Sequence, residues 1–372
     1  MHIHDQIEFH NTAELVPLAH PAGLALYRYS RAAIEHLSVL GQHAAACSDG
    51  VELRFVTGSS WVNLTLSALS RFPWSTGANI SVFRGDIPVS DHLIADGATQ
   101  TLRLAAPALQ DQMGLGAFTD RLFARDLWRI VVSGATVIYH GLETGGQPVR
   151  PPRPDEKPEL RWLAYGSSIT NSVPGYVHHC ARYLRADVLN KGLCGSCACE
   201  PETGRFLAVC GEWDFATLEL GVNMRGWTTA EVFEQRVRML IQELRNTSAE
   251  SPIVLITMFP TFEDYLATPD GMTGINRAFR DVLRRVHGDS RDPNLHLIEG
   301  DRVLTSYTAL SADLLHPSPN GHHLMGHNLA AVLRPILKLQ PEQAQRHGAA
   351  DCAGAQLYNP GREHPAWKNG GA

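Results

Sequence analysis

The stretch "AYGSSITNS" (residues 164–172) places two adjacent serines directly after a glycine, at the end of a short apolar run. That run, residues 162–165, has the length and composition of a buried strand, and the polar residues after it are typical of a turn into a helix. The stretch therefore has two interpretations. Either one serine is a nucleophile, or both only form a polar turn in which Ser168 caps the helix.

The sequence after this stretch alternates apolar strands with helical patterns. The predicted strands are residues 162–165, 187–190, 216–220, 253–258 and 295–299. The predicted helices are residues 176–184, 229–245, 274–286 and 320–337, and Thr228 with Glu231 forms a predicted capping box at the second of them. Such alternation implies right-handed crossovers and a parallel sheet covered by helices on both faces, with ligands beyond the carboxyl ends of the strands.

The sequence before this stretch has a different period, with apolar residues at about every second position. Examples are "VELRFV" (51–56), "WVNLTLSAL" (61–69), "NISVF" (79–83) and "LWRIVVSG" (127–134). This pattern predicts an antiparallel β-sandwich or jelly roll over residues 1–147. Its aromatic residues are interpreted mainly as core, with stacking on a sugar as the alternative; they include Trp61, Phe72, Trp74 and Phe83.

The two patterns meet in "GGQPVRPPRPDEKP" (145–158), which has five prolines and almost no apolar residue. We interpret residues 148–159 as a linker and residues 160–340 as the second domain. Residues 341–372 show no period and are expected to form a mobile tail. A length of 372 residues is consistent with two domains.

The composition excludes several classes of protein. The chain is 44% hydrophobic and 19% charged, with a formal net charge of -6. No apolar run is long enough to span a membrane, and the acidic balance offers no basic face for nucleic acid. The start "MHIHDQIEFH" lacks a basic stretch followed by an apolar core, so we expect a cytoplasmic protein without membrane or nucleic-acid partners. The oligomeric state is left open.

The chain has seven cysteines, five of which lie between residues 180 and 210. An odd number in one cluster does not suggest a secreted disulfide framework, so reduced thiols are expected. Zinc bound by Cys194, Cys197 and Cys199 is the alternative, although the spacing lacks two C-x-x-C pairs. The five are Cys180, Cys194, Cys197, Cys199 and Cys210.

Four polar segments fall where the predicted sheet would present them together. "GSSIT" (166–170), "NKGLCGS" (190–196) and "LGVNM" (220–224) follow the first three predicted strands, and "DLLHPSPNGHH" (313–323) precedes the last helix. They supply a serine, a glycine for close backbone approach, an asparagine amide and an Asp/His pair. Together these groups form the set that acyl transfer requires.

In this order the segments resemble the blocks of the SGNH hydrolases, also called the GDSL esterase and lipase family, over roughly residues 160–338. The first block places the nucleophile at Ser168, although Ser167 stands where the family usually has aspartate. Asn190, Gly192 and Gly195 resemble the second block. Residues 221–223 resemble the third block, in which Met224 stands where an acidic residue often follows, and residues 313–316 resemble the fifth.

The resemblance implies a flavodoxin-like, three-layer α/β/α domain with five parallel strands. It also implies action on ester-linked acyl groups of lipids, sugars or small alcohols without a cofactor. A β-sandwich ahead of such a domain resembles two-domain carbohydrate esterases, and also a few members that transfer acyl groups onto natural products.

The residue types give a chemical reason for the same assignment. A serine hydroxyl needs a base to become a nucleophile, and His316 is suited to accept the proton from Ser168. Asp313, three residues earlier, is placed to orient the imidazole. The developing oxyanion needs donors, for which we assign the Ser168 amide, the Gly195 amide and the Asn223 side chain. Gly195 and Asn223 as simple turn residues are the alternative.

The segments also contain residues with less defined roles. Met224, Trp227, Met258 and Phe259 lie just beyond strand ends and are candidates for an acyl pocket, with ordinary packing as the alternative. A histidine cluster suggests a metal, yet no carboxylate or cysteine accompanies it at ligand spacing, so we expect solvated or capping histidines and no metal. The cluster is His316, His322, His323 and His327. "TGSSWVN" (57–63) repeats Gly-Ser-Ser in the β region and is interpreted as a turn.

Three functional hypotheses follow. The leading one is a serine esterase that removes a short acyl group, such as acetyl, from a carbohydrate or other small-molecule oxygen ester. The second is an acyltransferase in which an alcohol of a sugar or natural product replaces water. The third is a carbohydrate-binding or interaction protein with a vestigial triad.

Overall fold

The computed structural model describes residues 2–118 and 120–340, so the predicted tail at 341–372 lies outside the described residues. Twelve strands precede residue 151 in the described part: β1 (His2–His4), β2 (Ile7–His10), β3 (Glu14–Ala19), β4 (Ala22–Tyr27), β5 (Val51–Thr57), β6 (Trp61–Leu69), β7 (Gly77–Arg84), β8 (Ile87–Ala95), β9 (Thr99–Ala105), β10 (Leu127–Ser133), β11 (Thr136–Glu143) and β12 (Val149–Arg150). Five more follow: β13 (Leu160–Tyr165), β14 (Ala186–Asn190), β15 (Phe215–Glu219), β16 (Ile253–Ile256) and β17 (Leu295–Ile298).

The described helices are α1 (Arg31–Ile34), α2 (Val39–Ala46), α3 (Ser168–Asn171), α4 (Tyr176–Leu184), α5 (Pro201–Val209), α6 (Ala230–Thr247), α7 (Gly271–Asp289) and α8 (Pro319–Ile336). Short 3-10 helices lie at Gln110–Gln112, Leu115–Phe118, Pro154–Glu156, Phe262–Tyr265, Gly300–Arg302 and Tyr307–Ala309. Within the described ranges, no helix is both long and apolar enough to cross a bilayer.

The N-terminal strands form two antiparallel sheets. One has the order β1-β2-β5-β10-β7-β8, with β12 added beside β5, and the other has the order β3-β4-β11-β6-β9. Alternate residues of both sheets point inward and share one apolar core, which includes Phe9, Leu53, Leu64, Ile80 and Val137. The predicted β-sandwich is therefore confirmed. The Gly-Ser-Ser string of the β region forms the turn between β5 and β6.

The proline-rich segment is an ordered connection with contacts of its own. Val149 and Arg150 pair with β5, and Arg150 forms a bidentate salt bridge with Glu156 at 2.7 and 2.6 Å. Lys157 then bonds Glu8 of β2 at 2.6 Å. Residues up to Lys338 pack as one compact unit, so the division of the chain at 148–159 stays a prediction.

The second half forms a parallel sheet with the order β14-β13-β15-β16-β17. The five predicted strands lie within two residues of the observed ones, and the predicted three-layer α/β fold is confirmed. Helix α4 packs beside α8, while α6 packs beside α5 and α7. The central strands β13, β15 and β16 are buried over most of their length, as expected for strands with helices on both faces of the sheet.

Helix α6 shows how the sequence sets these elements. Its buried residues Phe233, Val237, Leu240 and Leu244 recur at helical spacing. The predicted cap at Thr228 was wrong by one residue: Thr229 is the N-cap, and its side chain accepts a hydrogen bond from the Val232 amide. Both threonines precede the apolar period, so the pattern alone did not distinguish them.

Two short helices of the N-terminal half pack against the parallel-sheet half. Helices α1 and α2 lie between β4 and β5, and neither was predicted. Apolar residues of this segment join the core built on Leu163, Leu218 and Phe233. They are Tyr29, Ala33, Leu37, Ala44, Ala45 and Cys47. This segment brings the first half of the chain to the loop that follows β14.

Candidate active site

The candidate site lies where three loops leave the carboxyl ends of β13, β14 and β15. Strand β13 pairs with β14 on one side and β15 on the other, so the chain changes direction across the sheet at this point. Loops that diverge at such a point leave a crevice in which ligands bind. Ser168 follows β13, Gly195 follows β14, and Asn223 follows β15.

The two adjacent serines have different surroundings. Ser167 is fully buried, and its hydroxyl donates to Glu219 Oε2 at 2.7 Å. Ser168 is partly exposed, and its Oγ lies 2.8 Å from His316 Nε2. Ser167 also serves as the N-cap of the short helix that begins at Ser168. Of the two hydroxyl groups, that of Ser168 is the one beside a base and within reach of solvent.

His316 and Asp313 are fixed by a tight turn ahead of α8. His316 Nδ1 donates to Asp313 Oδ2 at 2.7 Å, which leaves Nε2 as the acceptor for the Ser168 hydroxyl. Asp313 Oδ1 accepts from the amides of Leu315 and His316 at 3.0 and 2.9 Å. Leu314, between them, has a φ of 52°, so this turn uses the left-handed region at a residue other than glycine.

The same contacts set the ionisation of Asp313. Its partial burial opposes the charged form, but hydrogen bonds from the His316 side chain, the two backbone amides and Ser311 outweigh it and hold the pKa of Asp313 well below its usual range. Asp313 therefore stays a carboxylate over the range in which an imidazole titrates. A carboxylate beside Nδ1 can orient the imidazole and stabilise an imidazolium formed during a reaction.

Asn223 and the loop that contains Gly195 are joined directly. The Cys197 amide donates to Asn223 Oδ1 at 3.1 Å, and this fixes which end of the amide is the oxygen. The donor end, Nδ2, is consequently on the opposite side of the side chain from Cys197. Gly195 is exposed, with a φ of 68°, and a Cβ added there would lie 2.9 Å from Leu40 Cδ2 of α2.

The loop after β14 is held against the turn after β13. Asn190 Nδ2 donates to Thr170 O at 2.8 Å, and the Leu193 amide donates to Gly166 O, also at 2.8 Å. A side chain at Gly192 would lie 2.5 Å from the Asn171 amide nitrogen, so only glycine permits this approach. The second sequence block thus contacts the first through residues 190–193.

Sequence reasoning missed Glu219, the last residue of β15. It is 1% exposed, and burial raises its pKa to about 7 against the opposing effects of hydrogen bonds from Ser167 and Thr170 and of the nearby His316. The strand pattern around it, "ATLELG" (216–221), gave no sign of a buried acid. The signal that could have found it is Ser167, which stands where the family usually has aspartate.

The residues proposed from sequence for an acyl pocket are mostly interior. Met224, Met258 and Phe259 are at most 2% exposed and pack within the domain, as the alternative interpretation held. Trp227 is 58% exposed, and its indole donates to Asn223 O at 2.6 Å. It is therefore the member of that group with surface available to a ligand beside Asn223.

The aromatic residues singled out in the sandwich lie outside the core between its sheets. Phe72 packs into the core of the parallel-sheet half, and the exposed Trp74 stacks on it at 4.8 Å. Trp61 and Phe83 are partly exposed beneath Arg103 and Arg129 respectively.

The remaining histidines and cysteines have local contacts. His322 Nδ1 accepts from the Tyr176 amide at the start of α4, and burial, with the nearby His179 and His316, lowers the pKa of His322 to about 4. His323 contacts the His179 ring, and His327 contacts Tyr183. In the described ranges the cysteines are free thiols, and no group of histidines, cysteines and carboxylates there is arranged to hold a metal.

Comparison with known proteins agrees with this fold. Residues 163–324 match the model of the GDSL-like lipase/acylhydrolase family, a range that contains all the residues assigned above to acyl transfer. This part of the chain is thus an SGNH-type enzyme domain of this family, and it follows an N-terminal β-rich domain in the sequence. A comparison with curated protein sequences found no match.

Several solved structures share the fold over most of the chain. The salicylyl-acyltransferase SsfX3 from a tetracycline biosynthetic pathway is 16% identical, with a TM-score of 0.72, over 90% of this chain and 96% of that chain. A candidate GDSL-like lipase from Bacteroides ovatus is also 16% identical, with a TM-score of 0.67, over 90% and 97%. A family two carbohydrate esterase from Clostridium thermocellum is 18% identical, with a TM-score of 0.55, over 78% and 94%. At identities this low, the matches show a shared fold and nothing about a shared substrate.

Proposed function

We propose that the protein is a serine esterase that hydrolyses a short-chain oxygen ester, such as an acetyl ester of a carbohydrate or other small molecule. Ser168 is the nucleophile, His316 the general base and Asp313 the group that orients His316. The observation that carries this proposal is the continuous chain of hydrogen bonds from Ser168 Oγ through the imidazole to Asp313, at 2.8 and 2.7 Å. No cofactor enters the reaction.

The reaction proceeds through an acyl-enzyme. As Ser168 Oγ forms a bond to the ester carbonyl carbon, its proton passes to His316 Nε2, and the imidazolium is stabilised by Asp313. The carbonyl oxygen becomes an oxyanion that receives hydrogen bonds from the amides of Ser168 and Gly195 and from Asn223 Nδ2. The bond to the alcohol oxygen then breaks, and His316 returns the proton to that oxygen. Water then attacks the carbonyl carbon of the acyl-enzyme, with His316 again as the base, and the carboxylic acid is released as Ser168 regains its proton.

Acyl transfer to an alcohol is the second candidate. It uses the same acyl-enzyme, with an acceptor hydroxyl in place of water. Its support is the match in fold, over nine-tenths of this chain, to a salicylyl-acyltransferase. The exposed Trp227 beside Asn223 offers an aromatic surface for either an acyl group or an acceptor.

The test is turnover of p-nitrophenyl acetate, butyrate and octanoate by the purified protein, with and without added sugar or phenolic alcohols. We expect cleavage that is fastest for the short chains, complete loss of it in Ser168→Ala, and labelling of Ser168 by a fluorophosphonate. Mass analysis of the products separates hydrolysis from transfer. Chelating agents are expected to have no effect, since the base and the oxyanion donors all belong to the protein.

Ser60→Ala is the matched control, because Ser60 ends the same Gly-Ser-Ser string in the turn after β5. It should keep full activity. A label on Ser167, or full activity in a folded Ser168→Ala protein, would refute the assignment. A wild-type protein that neither cleaves these esters nor reacts with the fluorophosphonate would favour a binding protein with a vestigial triad.

A further inference from the structure

A buried carboxyl group lies directly beneath the turn that carries Ser168. Glu219 ends β15, and its Oε2 accepts three hydrogen bonds from the neighbouring segment. The donors are the Ser167 amide at 2.8 Å, the Ser167 hydroxyl at 2.7 Å and the Thr170 hydroxyl at 3.1 Å. The single atom Glu219 Oε2 therefore accepts hydrogen bonds from Ser167 and from Thr170, on either side of Ser168 in the segment after β13.

These bonds leave Ser167 little freedom. Its hydroxyl donates to Glu219 and also accepts from the Ile169 amide at 3.2 Å, while its carbonyl accepts from the Asn171 amide at 2.9 Å. With its amide, hydroxyl and carbonyl all bonded, Ser167 has one orientation. The peptide that joins it to Ser168 is fixed as well, and the Ser168 amide and the direction of its side chain follow from that peptide.

The close approach of the carboxyl group depends on Gly166. A Cβ added at Gly166 would lie 2.7 Å from Glu219 Oε2 and would also collide with the Thr170 hydroxyl. The other oxygen, Glu219 Oε1, is buried and has no hydrogen-bond partner. A buried polar atom without a partner lowers the free energy of unfolding. The acid is therefore unfavourable for stability at this position, and what it provides in return is the set of hydrogen bonds to Oε2.

We propose that Glu219 is a positioning residue for Ser168, which holds the Gly166–Ser167–Ser168 turn in the orientation that the nucleophile and the first oxyanion donor require. Ser167 connects Glu219 to the reacting residue, and its serine side chain is needed for that connection. The inference rests on the proposed function of Ser168. Because Glu219 contacts the turn and not the substrate, it acts on the catalytic constant more than on substrate binding.

The experiment compares four variants with the wild type in steady-state ester hydrolysis and in the rate of fluorophosphonate labelling. Glu219→Ala removes all three bonds, and we expect kcat and the labelling rate to fall by about 10²-fold with KM within a few-fold of wild type. Glu219→Gln keeps a carbonyl acceptor for the same donors and should restore most of kcat. Ser167→Ala removes one of the three donors, so its kcat should lie between those of Glu219→Ala and Glu219→Gln.

Thr257→Val is the matched control. Thr257 follows β16 at the same edge of the sheet and is equally buried. Its hydroxyl donates to Glu299 at 2.9 Å and accepts from the Gly300 amide at 2.8 Å, both in the segment after β17. Its loss should lower the melting temperature and leave kcat unchanged. A kcat of Glu219→Ala equal to wild type, or a Glu219→Gln protein as impaired as Glu219→Ala, would overturn the proposal.

Two further outcomes are informative. If Glu219→Ala fails to fold, Ser167→Ala decides: a loss of kcat at constant KM supports the positioning role, and wild-type kcat contradicts it. If the wild-type protein itself shows no ester cleavage and no labelling, the proposed function fails, and that result is distinct from an active wild type that tolerates loss of Glu219.

Discussion

At the scale of single residues, Asn223 has a donor orientation that is set before any substrate arrives. The Cys197 amide bonds its oxygen, and the Trp227 indole bonds its backbone carbonyl. A donor that needs no reorientation stabilises a developing oxyanion at little cost. Asn223 therefore tests the geometry of the site independently of the nucleophile.

We predict that Asn223→Ala lowers kcat by roughly 10²-fold or more and changes KM little, because the contact strengthens mainly in the transition state. The measurement is ester hydrolysis under steady-state conditions. Asn328→Ala, which removes an amide that donates to Val303 O away from the site, is the control and should keep wild-type kcat. A loss of only a few-fold in a protein that melts normally would identify Asn223 as a turn residue.

The sequence predicted some of these residues and not others for physical reasons. Ser168, Asp313 and His316 follow from the order of short motifs, because the carboxyl ends of parallel strands must meet at one edge. Glu219 gave no such signal, since an acid within an apolar strand can face either a partner or solvent. Burial of Met224 and Met258 depends on how the loops pack, which a position just beyond a strand does not specify.

At the scale of elements, Arg28 connects helix α2 to the loop after β14. It is fully buried and donates to four carbonyl groups. Two belong to Ala44 and Cys47 at the end of α2, one to Asn190 at the end of β14 and one to Gly192 in the loop after it. A planar guanidinium can span these groups because its donors point in several fixed directions. The loop that leads to Gly195 is thus held by a residue from the N-terminal half of the chain.

We predict that Arg28→Met destabilises the protein by about 3 kcal/mol and lowers kcat, because four buried carbonyls lose a charged donor. Arg28→Lys should not restore activity, since one ammonium group cannot reach both elements. Thermal melts and ester hydrolysis measure the two effects. Arg31→Met, which removes an exposed arginine paired with Glu14, is the control; equal behaviour of the Arg28 and Arg31 variants would contradict the prediction.

The elements that the sequence missed are those without a sustained apolar period. Helices α1 and α2 have four and eight residues, and α5 has nine. Helices this short are stabilised by tertiary contacts more than by their own propensity. The nine-residue α4 was nevertheless predicted, because its buried residues Tyr176, Val177, Cys180 and Leu184 recur at helical spacing. The long helices α6, α7 and α8 were predicted because each repeats its buried positions over several turns.

At the scale of the whole molecule, a buried ion-pair network joins the sandwich to the parallel sheet. Arg54 of β5 forms two bonds of 2.7 Å with Asp187 of β14 and one of 2.8 Å with Glu52. Arg129 adds a second cation beside Glu52 at 2.8 Å. Burial opposes the charged form of both acids, but the arginines outweigh it and hold the pKa of Asp187 and of Glu52 below their ordinary values.

A depressed carboxyl pKa sets the sign of the pH dependence. The network's contribution is complete above the unfolded values, 4.5 for Glu52 and 3.8 for Asp187, and is lost as the pH falls through the lower folded values. We therefore predict that the free energy of unfolding, measured with urea, falls as the pH is lowered below about 4.5.

Asp187→Asn tests the origin of that acid dependence. It should lower stability at neutral pH, because Arg54 loses its bidentate partner, and it should make the acid slope shallower. Asp91→Asn, at an exposed position bonded to Ser81, is the control and should leave both unchanged. An Asp187→Asn protein with the full wild-type slope would show that other carboxylates cause the acid sensitivity.

The shared core of helices α1 and α2 also has a consequence in time. Tyr29, Leu37 and Ala44 share a core with Leu163 and Phe233. During translation the first three are synthesised long before the other two. The residues of α1 and α2 are therefore made more than a hundred residues before Leu163, the first of these later partners. Until then the apolar side of α1 and α2 lacks these partners. The strands made later bury it when they form the core of the parallel-sheet half.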